Sequence, residues 1–504
     1  MEYGRLTKLS MLLYATLVAS GLPADDPLRL SSEFIVLANP NRVPAHVALE
    51  FPLPKIARKR TSSFTIAPLT RHTVSVTADP TLKDYQGCLK VLSDVPIAAE
   101  RMTYVDVEGI ARGGIMECLG ARVPSRTWYF AEGFTADTHH VWLVLTNPLD
   151  VAADVTIDYL LPGSQNLVSR HSLEPRGRTV VHVNDIAGLE ATELGAVISA
   201  DSPILAERVL LFRSGRLENT DLAPAGAGNK IEKRKVGRTN LPGRSQPDFI
   251  TGLHSTMGAT SPSLTWYFPD GRASESFKTF IMLLNPSQAE ARVSITVLPD
   301  GDRYASMASL RLAPRSRAHW KLREAFPGID GAIVLESDVP IVAERAMYWD
   351  AAGHSQRGGT ILLGAPAPAT DWILTEGFLG KENDLSLILS NPFSGSVQVM
   401  VEYLTPQGLR GSFRYPIDPR RRVAIPVRQI PGLDGSEFSI KISADSPIIP
   451  ERMTWLEAGG VPAATGYTSS GVSSLSEVWY LPQSLAKEAP SVRPAGVKRT
   501  TSEF

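Results

Sequence analysis

The residue pattern predicts an all-β chain of four tandem β-sandwich modules, and three observations carry that prediction. An Asn-Pro pair recurs at Asn39, Asn147, Asn285 and Asn391. A Glu-Arg pair follows each of them after 61, 60, 59 and 60 residues, at Glu100-Arg101, Glu207-Arg208, Glu344-Arg345 and Glu451-Arg452. Between these landmarks lie short alternating apolar segments, such as Val155, Ile157, Tyr159 and Val399, Val401, Tyr403, whose period of two is that of half-buried strands. A repeat this regular, with several short strands and turn signals in each copy, is the sequence signature of a sandwich array.

Each element of the repeat has a local reason. Apolar runs at 141–146 and 279–284 lead into Asn-Pro, where proline fixes φ and offers no N–H to a ladder, so the strand stops or turns. The alternating strand follows, then a Pro-Arg turn at Pro175, Pro314 and Pro419, then another strand beginning near Arg178 in module two. The Glu-Arg strand is introduced by Asp-x-Pro-Ile, as in SDVPIAAER and ADSPILAER. Ahead of Asn-Pro, three copies carry a tryptophan strand, WYFAEG from Trp128, WYFPDG from Trp266 and WILTEG from Trp372, with the glycine fourteen residues before the Asn. Module one lacks this tryptophan and its Glu-Gly. The boundaries that follow are 21–123, 124–262, 263–366 and 367–475, with 476–504 left as a tail that reads as the start of a truncated module. Residues 1–20 read either as a signal peptide, with Arg5, Lys8 and the apolar run 9–19, or as a degenerate first strand. Module two carries an insertion at about 214–250, rich in Gly, Pro and basic residues, which reads as a flexible loop.

Composition narrows the function classes. With 51 basic and 52 acidic residues the net charge is −1, so no global field favours nucleic acid or an anionic membrane. No apolar stretch is long enough for a transmembrane helix. The two cysteines, Cys88 and Cys118, exclude a disulfide-rich scaffold and a four-cysteine zinc site.

The order W-Y-F-A-E-G, N-P, V-x-V-x-Y, P-R and S-D-x-P-I-x-A-E-R resembles tandem modules of large bacterial extracellular proteins, and the resemblance covers nearly the whole chain. It implies immunoglobulin-like β-sandwiches acting as surface or spacer domains, secreted or on the cell surface, with no activity assigned to the module itself.

No nucleophile elbow, HExxH, P-loop or dinucleotide fingerprint is found, and every distinctive polar residue recurs in most modules, as architectural residues do. No catalytic residue and no cofactor is therefore expected. His139-His140 is the nearest thing to a metal pair, but neighbours on a strand point to opposite faces. Glu132, Glu207, Glu376 and Glu451 raise a glycosidase-like or calcium-binding alternative, which their repetition argues against. Trp128, Trp266 and Trp372 read as core anchors rather than carbohydrate platforms.

The Glu face of the Glu-Arg strand is apolar in every copy, so the glutamates are expected to be buried and satisfied by backbone N–H groups near the Asn-Pro turn or by the arginine of the Pro-Arg element, such as Arg315 or Arg317, with the adjacent arginine reaching solvent or a neighbouring strand. Cys88 and Cys118 flank that segment in module one and are candidates for a disulfide. Function is expected to be a non-catalytic surface array serving as spacer, scaffold or adhesion element; the alternative is a glycan-binding or cell-wall-binding accessory to a wall-remodelling enzyme. The partner is unknown, with cell-wall polysaccharide or a surface protein as candidates and no nucleic acid expected.

Overall fold

The computed structural model describes residues 29–52, 59–78, 87–107, 111–136, 139–163, 166–214, 250–300, 306–350, 357–381, 383–458 and 461–482. The leader region 1–20 and nearly all of the module-two insertion lie outside the described residues. The described residues form four similar sets of seven antiparallel strands, each joined through one strand of 20 residues: Cys88–Val107, Gly195–Ser214, Gly331–Asp350 and Ser439–Ala458.

Module two shows the plan. The first half of its long strand pairs with the alternating strand Ala153–Leu160 and with the Trp strand Ser125–Phe130. The second half pairs with the Asn strand His139–Thr146 and with an inner strand, Ile250–Met257. The register breaks between Ser199 and Ile204, where Asp201-Ser202-Pro203 lets one strand pass from one layer to the other. Leu167–Leu173 and Arg178–His182 complete the two layers, and four tandem β-sandwich modules result.

The repeated residues hold this plan in place by the same bonds each time. Asn39, Asn147, Asn285 and Asn391 are buried, and each donates its amide to the carbonyl four residues on: Val43, Val151, Ala289 and Gly395. A second donation goes to the end of the facing strand, for instance to Leu312 and Ala313. Asp94, Asp201, Asp338 and Asp445 each accept the backbone N–H of the second residue of the alternating strand: His46, Asp154, Arg292 and Gln398. Trp128, Trp266 and Trp372 are buried, and their indole N–H groups donate to the Ile of Asp-x-Pro-Ile, at Ile204, Ile341 and Ile448. The core reading of these tryptophans holds, because a buried indole needs one acceptor and this carbonyl supplies it.

The residue after Pro in the Pro-Arg turn has positive φ in every copy with that sequence: Arg176 (53°), Arg315 (49°) and Arg420 (54°). Its N–H donates back to the Asn-Pro turn, as from Arg420 to the Phe393 carbonyl at 2.9 Å. A left-handed residue without glycine is strained, so Arg420→Gly is expected to shift stability by less than about 1 kcal/mol, whereas Arg420→Val costs about 1–3 kcal/mol. Denaturant titration of the two variants checks the contrast.

The largest departure from the sequence reading is at the C-terminal end. Residues Ser476–Pro482 form the missing Trp strand of module one, paired with Cys88–Val107. Trp479 is buried there and donates to Ile97, as the other three tryptophans do to their own isoleucines. Residues 476–482 of the stretch set apart as the tail therefore complete the first module, the rest of it lying outside the described residues, and the four modules close into a ring. The inner strands Ala111–Leu119, Ile250–Met257, Arg357–Leu363 and Val461–Ser469 pack against one another at its centre.

The cysteines are not bridged. Cys88 and Cys118 are buried free thiols in different strand pairings: Cys88 faces Pro482 and Cys118 faces Arg101. Burial pushes both thiols up to about 12, which keeps them as unreactive hydrophobic side chains.

Candidate functional site at the module seams

The long strand alternates two faces, and ring closure gives each a neighbour. The Glu face of module two carries Val209 and Leu211 and packs, with Trp142 and Val144, on Met116 of module one. The Glu face of module four, with Met453, meets Met347 and Trp349 of module three. Module one repeats this at closure, where Val36 and Met102 meet Tyr467 of module four. The apolar neighbours that made the Glu face look like a sandwich interior are thus the lining of a seam between modules.

Glu100, Glu207, Glu344 and Glu451 are all buried, as expected, but so are Arg101, Arg208, Arg345 and Arg452, at no more than 1% exposure. Of the two destinations expected for the arginines, solvent is excluded and a neighbouring strand is found, while neither Arg315, Arg317 nor the backbone N–H groups of the Asn-Pro turn are the partners of the glutamates. Each arginine instead crosses to the glutamate of the next module: Arg101 to Glu207 (2.6 Å), Arg208 to Glu344 (2.6 Å) and Arg345 to Glu451 (2.6 Å). Arg452 closes the circle onto module one, between Glu117 and, at 3.9 Å, Glu100. Backbone N–H groups just beyond the Trp strands add to the carboxylates: Ala131 to Glu344, Asp270 to Glu451 and Glu376 to Glu100. Burial raises the Glu451 carboxyl above its ordinary range, and the Arg345 guanidinium opposes that rise.

A second set of ion pairs, found at three of the four seams among the described residues, uses the acidic residue of the Trp motif. Glu132 of module two takes Arg317 of module three at 3.0 Å, Asp270 of module three takes Arg422 of module four, and Glu376 of module four takes Arg71 of module one at 2.8 Å. Glu193 joins the first of these, bonded to Arg317 and, at 2.9 Å, to His319. Burial pushes Asp270 up, but Arg272, Arg422 and Arg345 together hold it well below the usual carboxylate range. Arg315 bonds Asp158 at 2.8 Å, another crossing from module three to module two.

His139 and His140 diverge as a strand requires. His139 stacks near Phe134 and Phe212, while His140 lies 3.2 Å from His182. Among the described residues no group of three or more His, Cys, Asp or Glu stands in position to hold a metal ion. Nor is any helix among them long and apolar enough to cross a membrane.

Sequence reasoning missed the ring and its inter-module pairs. The available signal was a fourth tryptophan motif, Trp479-Tyr480-Leu481-Pro482, 107 residues after Trp372, matching the 106 between Trp266 and Trp372.

A family model described as a family of unknown function (DUF5719) matches residues 29–247, less than half of the chain. No curated protein matches. Among solved structures, the chain is similar to Thermotoga maritima 1070 at 15% identity, covering 27% of this chain and 94% of that one, with a TM-score of 0.19. A point mutant of the major pilin from Streptococcus pyogenes matches at 9% identity over 65% and 97%, TM-score 0.13. PNGF-II matches at 8% identity over 87% and 97%, TM-score 0.15. Scores at this level carry no argument about function.

Proposed function

We propose that the chain is a non-catalytic scaffold or adhesion element on a bacterial surface, working as a rigid ring rather than as an extended spacer. One observation supports this reading above the others: the polar residues that recur through the sequence are spent on holding the ring. The Asn and Asp residues fix turns, the tryptophans anchor layers, and the Glu-Arg pairs join modules. A closed circle of buried ion pairs, backed at three seams by a second set, opposes sliding between modules, because each charge that leaves its partner would be stranded away from water. Rigidity of this kind suits a platform whose outward strands and turns present contacts at fixed spacing, since weak contacts held in register add through effective concentration.

The test has two parts. Protease accessibility on intact cells of the source organism should cleave the chain from outside, and purified protein should show no saturable binding to insoluble peptidoglycan and no glycan-hydrolysing activity. Protection from external protease would remove the surface reading. Saturable peptidoglycan binding would favour the wall-binding accessory instead. Hydrolysis that disappears with one substitution in one module would make the chain an enzyme.

A further inference from the structure

The four inner seams are not equivalent. Counting back three residues from the glycine that ends each inner strand, Gly120, Gly258, Gly364 and Gly471, the same position holds Glu117, Ser255, Ile361 and Thr468. Only module one places a carboxylate there. Glu117 is buried, and it draws Arg452 away from Glu100, which is left 3.9 Å from that guanidinium while the equivalent pairs elsewhere close to 2.6 Å. At the Glu-Arg and inner-strand positions, five carboxylates, Glu100, Glu117, Glu207, Glu344 and Glu451, thus face four guanidiniums, and the fifth falls at the seam that closes the ring; Glu33, also buried, acts on Arg101 at the next seam.

Two buried carboxylates beside one guanidinium cannot both ionise without stranding a charge away from water. Among the described residues, the groups facing Glu100 supply no second cation. Glu117 comes from the inner strand of its own module, Arg452 from the long strand of module four, and the Glu376 backbone N–H, at 3.1 Å, from beyond the Trp strand of module four. The Glu376 carboxylate adds a further negative charge, and Arg71 behind it is taken by Glu376 and Glu437. Tyr467, on the inner strand of module four, lies under Arg452 with 5.6 Å from guanidinium to ring.

We propose that the closing seam is a proton-held latch: one proton shared between the Glu100 and Glu117 carboxyl groups completes the contact between modules four and one, and its loss to solvent base loosens that seam alone. Burial and then the neighbouring Glu117 raise Glu100 well above the ordinary carboxyl range, with Arg452 opposing. A carboxyl raised in the folded state contributes stability that is fully present below its unfolded pKa and is lost as pH rises through the folded one. The ring therefore closes most firmly in mild acid and eases open, from this seam, in base.

The experiment uses the full chain, with infrared absorption and hydrogen exchange measured across pH. The native protein should show the carbonyl band of a protonated carboxylic acid at neutral pH, vanishing as pH rises. Above that point, exchange in 461–482 and 29–39, corrected for intrinsic rates, should increase by up to roughly tenfold per pH unit, the slope for release of one proton. The inner strands 250–257 and 357–363 of the next seam serve as the control and should not follow. Glu117→Gln leaves Arg452 to pair with Glu100 and should abolish both the band and the pH dependence. Glu117→Ser, which copies module two, serves if the first variant fails to fold. Absence of the band in native protein, or an unchanged pH dependence in the variant, overturns the latch.

Discussion

Trp479→Ala is expected to lower the stability of the whole chain by about 3–5 kcal/mol, the range for emptying a buried tryptophan site. Position 479 lies far from module one in sequence, yet its indole is 1% exposed in that module's core and donates to Ile97 at 2.9 Å. Removing the indole leaves a cavity among Leu89, Val91 and Ile97 and orphans a buried carbonyl. The damage spreads because the same strand closes the ring, so module one and the seams on both sides of it lose their backing together. Denaturant unfolding gives the size of the loss, and hydrogen exchange gives its place. A loss under about 0.5 kcal/mol, the usual range for exposed sites, would mean that the C-terminal strand is not part of module one.

The second large effect concerns the seam pairs. Arg345 holds both carboxylate oxygens of Glu451, at 2.8 and 2.6 Å, and also donates to the Asp270 carbonyl. Arg345→Met should therefore cost about 3–5 kcal/mol, since it strands a buried carboxylate whose remaining donor is the Asp270 N–H at 3.2 Å. Adding Glu451→Leu to that variant should recover most of the loss, because an apolar pair of similar volume has no charge to desolvate and fits the seam's Met347, Trp349 and Met453. A double-mutant cycle from thermal or denaturant unfolding measures the coupling. Additive losses would show that the two side chains do not act as a pair.

The elements of each module were legible in the sequence because their causes are local. Proline after Asn ends a strand wherever it stands, and the alternation of Val293, Ile295 and Val297 fixes which face is buried without reference to distant residues. The burial of Glu344 was legible for the same reason, from its apolar neighbours along the strand. Its partner was not. Alternation shows that a face is covered but not by what, and Val342, Ala346 and Tyr348 serve equally well to cover a sandwich interior or to meet another module. For Arg345, mixed neighbours left solvent and a neighbouring strand both open, because a charged residue is usually exposed. Only closure of the ring puts Glu451 within its reach, and closure depends on a strand 382 residues from Ile97, an interval no local pattern spans. Cys88 and Cys118 failed for a related reason: they flank one segment in sequence, but Cys88 lies on the half of the long strand that pairs with the C-terminal strand and Cys118 on the inner strand that pairs with the other half, on opposite sides of the layer switch.

Ring closure is tested most directly by a cross-link across its last pair of strands. Val478 stands opposite Leu92 in the antiparallel register between the C-terminal strand and the long strand of module one. Directly opposed residues in such a pair lie about 4.5–5.5 Å apart at Cα, within reach of a disulfide. A Leu92→Cys, Val478→Cys double variant, with Cys88 and Cys118 replaced by serine or alanine, should form an intramolecular disulfide on mild oxidation. The product should run as a monomer with altered mobility on a non-reducing gel and unfold at higher denaturant than its reduced form. Failure to cross-link, or cross-linking only between molecules, would contradict a closed ring of four modules.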